Sequence, residues 1–322
     1  MAIKKVVVCG GGVLGSQIAF QAQYCGFDTT IWLRSEGSIG RTQPKLDKIH
    51  ATYLEALKEM KDTQSEEAFC PGLADSYEDF DYDECVKKTE YAYSTLKLEL
   101  DMEKALADAD LVIEAMTEEK NAKKAIFQRL APLLPEKTIL VTNSSSLLPS
   151  KFMKYTGRPD KFLALHFAND IYKHNTAEVM MTSKTDEAAF DAVVQFALDI
   201  KMVPLKLTKE KDGYLLNSML IPFLMSGFDL YANGISVPED IDKAWKLGTG
   251  APKGPFEIFD IVGLKTAYEI INRYTKLPGF IAPYNFKAQA AILKPMIEAG
   301  HIGKMAGEGF YKYDKDGNKI EK

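Results

Sequence analysis

Cysteine is scarce in this chain, and its spacing builds nothing. The four cysteines, Cys9, Cys25, Cys70 and Cys85, make no Cys-x-x-Cys pair and no zinc-finger pattern, so neither a disulfide framework nor a cysteine-built metal site is expected. Cys9 lies in an apolar run and Cys25 at the end of an expected helix. Both are read as small buried residues, and reduced thiols suit a cytoplasmic protein. Long apolar runs are missing as well. The longest, Leu215 to Tyr231, is interrupted by Asn217, Ser218, Ser226 and Asp229, too polar and too short to span a bilayer. At the start, Lys4 and Lys5 precede only a few apolar residues and then glycines, which is not a secretory leader. An excess of positive charge is absent too. The net charge is −5, which gives no electrostatic case for nucleic acid or an anionic membrane as partner. No internal repeat or low-complexity segment occurs.

What is present is core-forming sequence: 322 residues, 46% of them hydrophobic and 26% charged, enough for two domains. Val6-Val7-Val8 suits a strand buried on both faces of a parallel sheet. Val13–Cys25 reads as a helix. Further strands are expected at Thr29–Leu33, Leu111–Glu114, Thr138–Thr142, Phe162–Leu165, Ala177–Met181 and Val203–Leu207, with helical patterns between several of them. Alternation of this kind predicts an α/β fold: a Rossmann-type, doubly wound, mostly parallel sheet over residues 1–208. Residues 41–95 are read as an excursion. Ile49, Tyr53, Leu57 and Met60 repeat at helical spacing, and an acidic, tyrosine-rich stretch follows at Asp75–Glu84. Strand signals stop near Lys209. Residues 209–322 are expected to form an all-helical domain, with Pro222 inside its first helix and a Ser236-x-x-Glu239 capping box opening the next. Apolar residues on several faces of these helices suggest burial against a second copy of the chain.

Gly10-Gly11-Gly12-Val13-Leu14-Gly15 fits Gly-x-Gly-x-x-Gly. The first glycine makes a tight turn, the second admits a pyrophosphate close to the backbone, and the third packs helix on strand. Free N–H groups at the helix start, including those of Val13 and Leu14, face the phosphates. The motif follows a strand, opens a helix and stands near the start of the chain, and this context makes it specific for a dinucleotide. At the end of the second strand, about twenty residues beyond the last glycine, an acidic residue would hold the ribose hydroxyls of NAD. Here Arg34 and Ser35 stand there. A guanidinium and a hydroxyl would attract the 2′-phosphate of NADP(H), which this reading favours. The alternative is a solvated arginine, with NAD held by other contacts.

A second constellation lies mid-chain. Asn143-Ser144-Ser145-Ser146 follows one strand, His166-Phe167-Ala168-Asn169 ends another, and Glu178 falls in the next. Ligands of such sheets bind beyond the carboxyl ends of strands. A histidine oriented by a carboxylate is the usual general base for alcohol oxidation. Alone, a strand-end histidine or a serine cluster is an ordinary hydrogen-bonding feature; their joint placement points to chemistry.

With these motifs, and with Val112-Ile-Glu-Ala-Met-Thr-Glu118, Gly213-Tyr-Leu-Leu-Asn217, Lys246-Leu-Gly-x-Gly-x-Pro-x-Gly-Pro-Phe-Glu257 and Gly300-His-Ile-Gly-x-x-x-Gly-x-Gly-Phe-Tyr311, the chain resembles the short-chain L-3-hydroxyacyl-CoA dehydrogenase family. The resemblance covers nearly the whole length except 61–95. It implies His166 as base for the substrate hydroxyl, Glu178 as its partner, Ser145 on the substrate oxygen, and Asn217 completing that pocket from the helical domain. Asn169 would help position the site. Glu118 and Lys123 are similar to residues that contact the nicotinamide side of the cofactor, and Asn143 lies with them. An acyl-CoA substrate and a homodimer through the C-terminal domain follow from the same resemblance. Arg41, Lys45, Lys48 and Lys58 could meet CoA phosphates or form a solvated helix face. The family pattern is departed from at Arg34, at Asn169-Asp170, where Asn-Pro is usual, and at Asp212-Gly213, where Pro-Gly is usual. Two other readings stay open: a dehydrogenase of a carrier-free hydroxy acid, similar to gulonate or carnitine dehydrogenases, and a non-catalytic dinucleotide-binding protein.

Overall fold

The computed structural model describes residues 3–315 and 317–320. The chain divides into two compact units between Leu215 and Leu216.

The first unit is an eight-stranded sheet with helices on both faces. Its elements in chain order are β1 (Lys5–Cys9), α1 (Val13–Tyr24), β2 (Asp28–Trp32), α2 (Glu36–Thr63), α3 (Tyr82–Thr95), β3 (Lys97–Glu99), α4 (Met102–Leu106), β4 (Leu111–Glu114), α5 (Lys120–Leu130), β5 (Ile139–Thr142), β6 (Phe162–Phe167), β7 (Thr176–Met180), α6 (Glu187–Asp199) and β8 (Val203–Leu207). The strand order is β3-β2-β1-β4-β5-β6-β7-β8. The order reverses at β1, beside β4, which is where such sheets open a ligand crevice. Pairing is parallel from β3 to β6; β7 then runs antiparallel to β6, and β8 parallel to β7.

The apolar runs are explained by two cores, one on each side of the sheet. Val6 and Val8 face one core, with Ile18, Phe20, Tyr53 and Phe196. Val7 and Cys9 face the other, with Leu106, Phe127 and Phe162. Alternate side chains of β1 thus enter opposite cores, so Val6 to Cys9 leave no polar position after Lys5 opens the strand. Helix α2 begins at Glu36, earlier than the sequence pattern indicates, and runs through Pro44 to Thr63. Its buried residues include Ile49, Tyr53, Leu57 and Met60, the helical series read from sequence. The excursion returns to the sheet through α3 and is pinned to α1. The Gln21 amide donates to the Gly72 carbonyl at 2.8 Å and accepts from Tyr53 Oη at 2.6 Å.

The second unit is helical: α7 (Leu216–Ala232), α8 (Pro238–Thr249), α9 (Pro255–Val262), α10 (Leu264–Tyr274) and α11 (Phe286–Glu298). Helix α7 continues through Pro222. The expected Ser236 cap is corrected by the structure. Val237 is the N-cap of α8 and Pro238 takes the first helical position, where a missing N–H costs nothing and the fixed φ favours the helix. The core holds Phe228, Phe256, Phe259, Leu264 and Leu293. Two buried carboxylates organise its loops. Asp242 accepts the Phe256 and Glu257 N–H groups, and Asp260 those of Phe310 and Tyr311. Burial pushes both carboxyls above the usual aspartate range despite these bonds. Among the described residues no helix is long and apolar enough to cross a membrane.

Candidate active site

A cleft of about 610 Å³ opens at the carboxyl ends of β1, β2, β4 and β5. The glycine loop forms its floor. Gly10 has φ +117° and its N–H donates to the Trp32 carbonyl at 3.1 Å. A Cβ on Gly10 would meet the Ala115 carbonyl, and one on Gly15 would meet Gly10 itself. These two glycines are therefore required by the fold. Gly12 is different: a Cβ there meets no protein atom within 4 Å. It is the N-cap of α1 and lines the open cleft with Val13 and Leu14. The space above Gly12, beside unbonded N–H groups at a helix start, suits a pyrophosphate. The residues present fit the dinucleotide the motif implies.

At the β2 end the cleft is basic. Arg34, Ser38, Arg41 and Lys45 all line it. Because α2 starts at Glu36, Ser38, Arg41 and Lys45 fall three and four residues apart on one helix face. Thr42, one residue further on, bonds the Gly11 carbonyl at 3.2 Å and holds that face against the loop. Arg41 donates to Ser38 Oγ at 3.0 Å, and Ser35 Oγ lies 3.1 Å from Ser38 Oγ. Sequence reading left Arg41 and Lys45, with Lys48 and Lys58, as contacts to CoA phosphates or as a solvated helix face. The structure puts Arg41 and Lys45 in the glycine-loop cleft, while Lys48 and Lys58 are exposed elsewhere on α2.

The serine loop after β5 is built on Glu118. One Glu118 oxygen accepts from Ser144 Oγ (2.6 Å), the Ser146 N–H (2.7 Å) and Ser146 Oγ (3.0 Å). Partial burial opposes ionisation of Glu118, but these bonds and the Lys123 charge outweigh it and hold the carboxyl below the usual glutamate range. Lys123 itself is 1% exposed. Its Nζ lies 2.8 Å from both oxygens of Glu114, which is fully buried, and 3.4 Å from Glu118. Lys123 thus bears on the cleft through Glu118. Glu114 went unnoticed in the sequence. The available signal was a carboxylate ending an all-apolar strand, which demands a buried cation.

Antiparallel pairing of β6 and β7 places His166 directly opposite Glu178. His166 Nδ1 is 2.9 Å from Glu178 Oε2, and His166 Nε2 is 3.1 Å from Ser145 Oγ. A carboxylate facing Nδ1 keeps the ring proton there and leaves Nε2 as a proton acceptor. His166 and Glu178 are buried while Ser145 is exposed and lines the cleft. The relay therefore opens toward the place a dinucleotide would occupy. Asn143 lines the same cleft and accepts the Phe167 N–H at 3.1 Å, tying the serine loop to β6. Asn169 is exposed just past β6. Asn217 is the second residue of α7, half-buried in the other unit. Tyr214 was not singled out from sequence, yet its ring stacks on His166 with centroids 4.5 Å apart. Only its place inside the Gly-Tyr-Leu-Leu-Asn motif marked it.

The Asn169-Asp170 departure has a structural cause. Asp170 has φ +56° and donates its N–H to Gln17 Oε1 at 2.9 Å. Proline can do neither.

Residues 5–211 match the 3-hydroxyacyl-CoA dehydrogenase NAD-binding domain and residues 213–313 the C-terminal domain of the same family. A 3-hydroxybutyryl-CoA dehydrogenase of Clostridioides difficile is 32% identical over 97% of this chain and 100% of its own. The mitochondrial hydroxyacyl-coenzyme A dehydrogenase of Homo sapiens is 32% identical over 97% and 91%. A solved diketoreductase, described for dual catalysis of dicarbonyl compounds, is 44% identical over 97% and 100%, with a TM-score of 0.83.

Proposed function

Because this chain belongs to the 3-hydroxyacyl-CoA dehydrogenase family, we propose that it moves a hydride between the 3-hydroxy carbon of a short-chain L-3-hydroxyacyl-CoA and NAD(P), giving the 3-ketoacyl-CoA. The observation that carries the reading is the Ser145–His166–Glu178 relay opening into a dinucleotide cleft. The bound dinucleotide supplies or accepts the hydride. In the oxidative direction His166 Nε2 takes the hydroxyl proton, and Glu178 stabilises the imidazolium through Nδ1. Ser145 Oγ donates to the substrate oxygen as charge develops there. In reduction His166 returns the proton.

Reduction of acetoacetyl-CoA and of ethyl acetoacetate, each with NADH and NADPH, tests this. Turnover of the CoA thioester supports it; turnover of the ester alone overturns it. One observation favours that second reading, a carrier-free dicarbonyl or hydroxy substrate: the diketoreductase is 44% identical and the two CoA dehydrogenases named above 32%. For the cofactor we favour NADP(H). Arg34, Ser38, Arg41 and Lys45 line the β2 end of the cleft, a basic cluster that would attract a 2′-phosphate. A homodimer through the helical unit and a cytoplasmic setting complete the proposal. Exposed Met219, Ile235 and Leu247 on that unit support the dimer.

A further inference from the structure

Tyr214 contacts the His166 ring and the residue before Ser145 at once, and its neighbour holds Glu178. Its ring lies nearly parallel to the His166 imidazole, at 18° and 4.5 Å between centroids. Its hydroxyl donates to the Ser144 carbonyl at 2.7 Å, on the residue preceding Ser145. The next N–H, that of Leu215, donates at 2.8 Å to Glu178 Oε1, the oxygen not facing His166. Tyr214 is 2% exposed. Its φ is +52°, following Gly213 at +77°, a conformation an L side chain holds only where its surroundings impose it.

We propose that Tyr214 is a positioning residue for hydride transfer, which clamps the His166 ring plane and the Ser145 backbone into one geometry. The inference rests on His166 being the base. A π face parallel to the imidazole fixes its rotation about the bond to the strand, and attracts the imidazolium formed when the substrate proton arrives. The hydroxyl bond fixes the loop that presents Ser145. Burial, then the charges of Glu118 and Glu178, push the Tyr214 phenol far up, so the hydroxyl stays protonated as a donor.

The test compares Tyr214→Leu, Tyr214→Phe and His166→Gln with the parent enzyme. The readouts are kcat, KM, the solvent deuterium isotope effect on kcat, and NADH or NADPH binding by fluorescence. In Tyr214→Leu, kcat should fall on the order of tenfold to a hundredfold, as for a misplaced catalytic group. The isotope effect should rise because proton transfer becomes slow, with dinucleotide binding unchanged. Tyr214→Phe keeps the ring and should lose roughly fivefold, the rate equivalent of one hydrogen bond, also with a raised isotope effect. A kcat within about twofold of the parent in Tyr214→Leu overturns the proposal. So does a fall in kcat with an unchanged isotope effect, which reports lost active protein. Should Tyr214→Leu fail to bind dinucleotide, Tyr214→Phe decides: an unchanged isotope effect overturns the proposal. An active His166→Gln overturns the base assignment instead, so the two failures are distinguishable.

Discussion

Replacing Glu178 by Gln changes one atom, and the structure dictates which way the new amide turns. Glu178 uses both oxygens as acceptors: Oε2 from His166 Nδ1 at 2.9 Å and Oε1 from the Leu215 N–H at 2.8 Å. A glutamine offers one acceptor and one donor. The Leu215 N–H belongs to the backbone and cannot become an acceptor, so the amide oxygen must face it. The NH2 group then faces Nδ1, which must accept, and the ring proton moves to Nε2. The base is then protonated at the atom that should receive the substrate proton. Loss of a charge-assisted bond alone costs about 1.5–3 kcal/mol, or roughly 10- to 150-fold in rate. The wrong tautomer adds to this, and the corresponding amide in a serine-protease triad costs about 10⁴-fold. We therefore expect kcat for acetoacetyl-CoA reduction to fall by about 10³-fold or more, with KM and dinucleotide affinity changed less than about threefold. Steady-state rates followed by nicotinamide absorbance, with dinucleotide binding by fluorescence quenching, measure both. A loss under about tenfold would refute the tautomer argument, because even the charge alone should cost that much.

Gly12→Ala should leave the melting temperature unchanged, since its Cβ meets no protein atom, yet weaken dinucleotide binding tenfold or more on the order of a lost close approach; Gly15→Ala should instead destabilise the fold. Arg34→Asp should weaken NADP(H) much more than NAD(H), and equal effects on the two dissociation constants would remove the case for a 2′-phosphate. Lys123→Met strands the fully buried Glu114, which should cost about 3–5 kcal/mol; adding Glu114→Gln should restore part of the lost thermal stability in a double-mutant cycle. Asp110 bears on acid stability. Burial opposes its ionisation, but Lys137 and the N–H groups of Lys5 and Lys4 outweigh this and hold its carboxyl below the usual aspartate range. Its contribution is present above the unfolded value near pH 4 and is lost as pH falls through the lower folded value, so Asp110→Asn should flatten the acid limb of melting temperature against pH.

The sheet was legible where strands are buried on both faces, because two cores leave mostly apolar and β-branched positions in them. Strand β3 was missed: it is three residues long at the sheet edge, its end residue Lys97 exposed. The alternation Leu96-x-Leu98-x-Leu100 was the available signal. The start of α2 was read too late because Gly37 and Gly40 weaken the helical pattern there. That error separated Arg41 and Lys45 from the glycine loop. The His166–Glu178 contact was legible because both residues lie on paired strands, where one register fixes both. Tyr214 was not, since its position depends on two successive left-handed residues and on a tertiary stack that no periodicity encodes. Lys123 was read as a cofactor contact from the family resemblance alone, and its ion pair with Glu114 had no signal in helical periodicity. Its burial follows from Glu114 below it.

The division between rigid and variable parts of the site has a consequence for what this enzyme handles. His166 and Glu178 are fixed by the β6–β7 register, and Ser145 by a loop hung on Glu118. On the proposed mechanism a change in any of them impairs proton transfer itself. The departures from the family pattern lie elsewhere: Arg34 at the β2 end, Asp170 in the left-handed turn after β6, and Asp212 before Gly213. Asp170 bonds Gln17 of α1 through its backbone, so its carboxylate is left exposed beside Asn169, close to the β6 end that carries His166. A negative charge there disfavours an anionic group on a nearby substrate and leaves a neutral one unaffected. If the substrate's anionic part approaches past Asn169, Asp170→Asn should lower KM for acetoacetyl-CoA while leaving KM for ethyl acetoacetate unchanged, with kcat constant for both. Equal KM changes for the two would place the CoA phosphates, or any substrate charge, away from this turn.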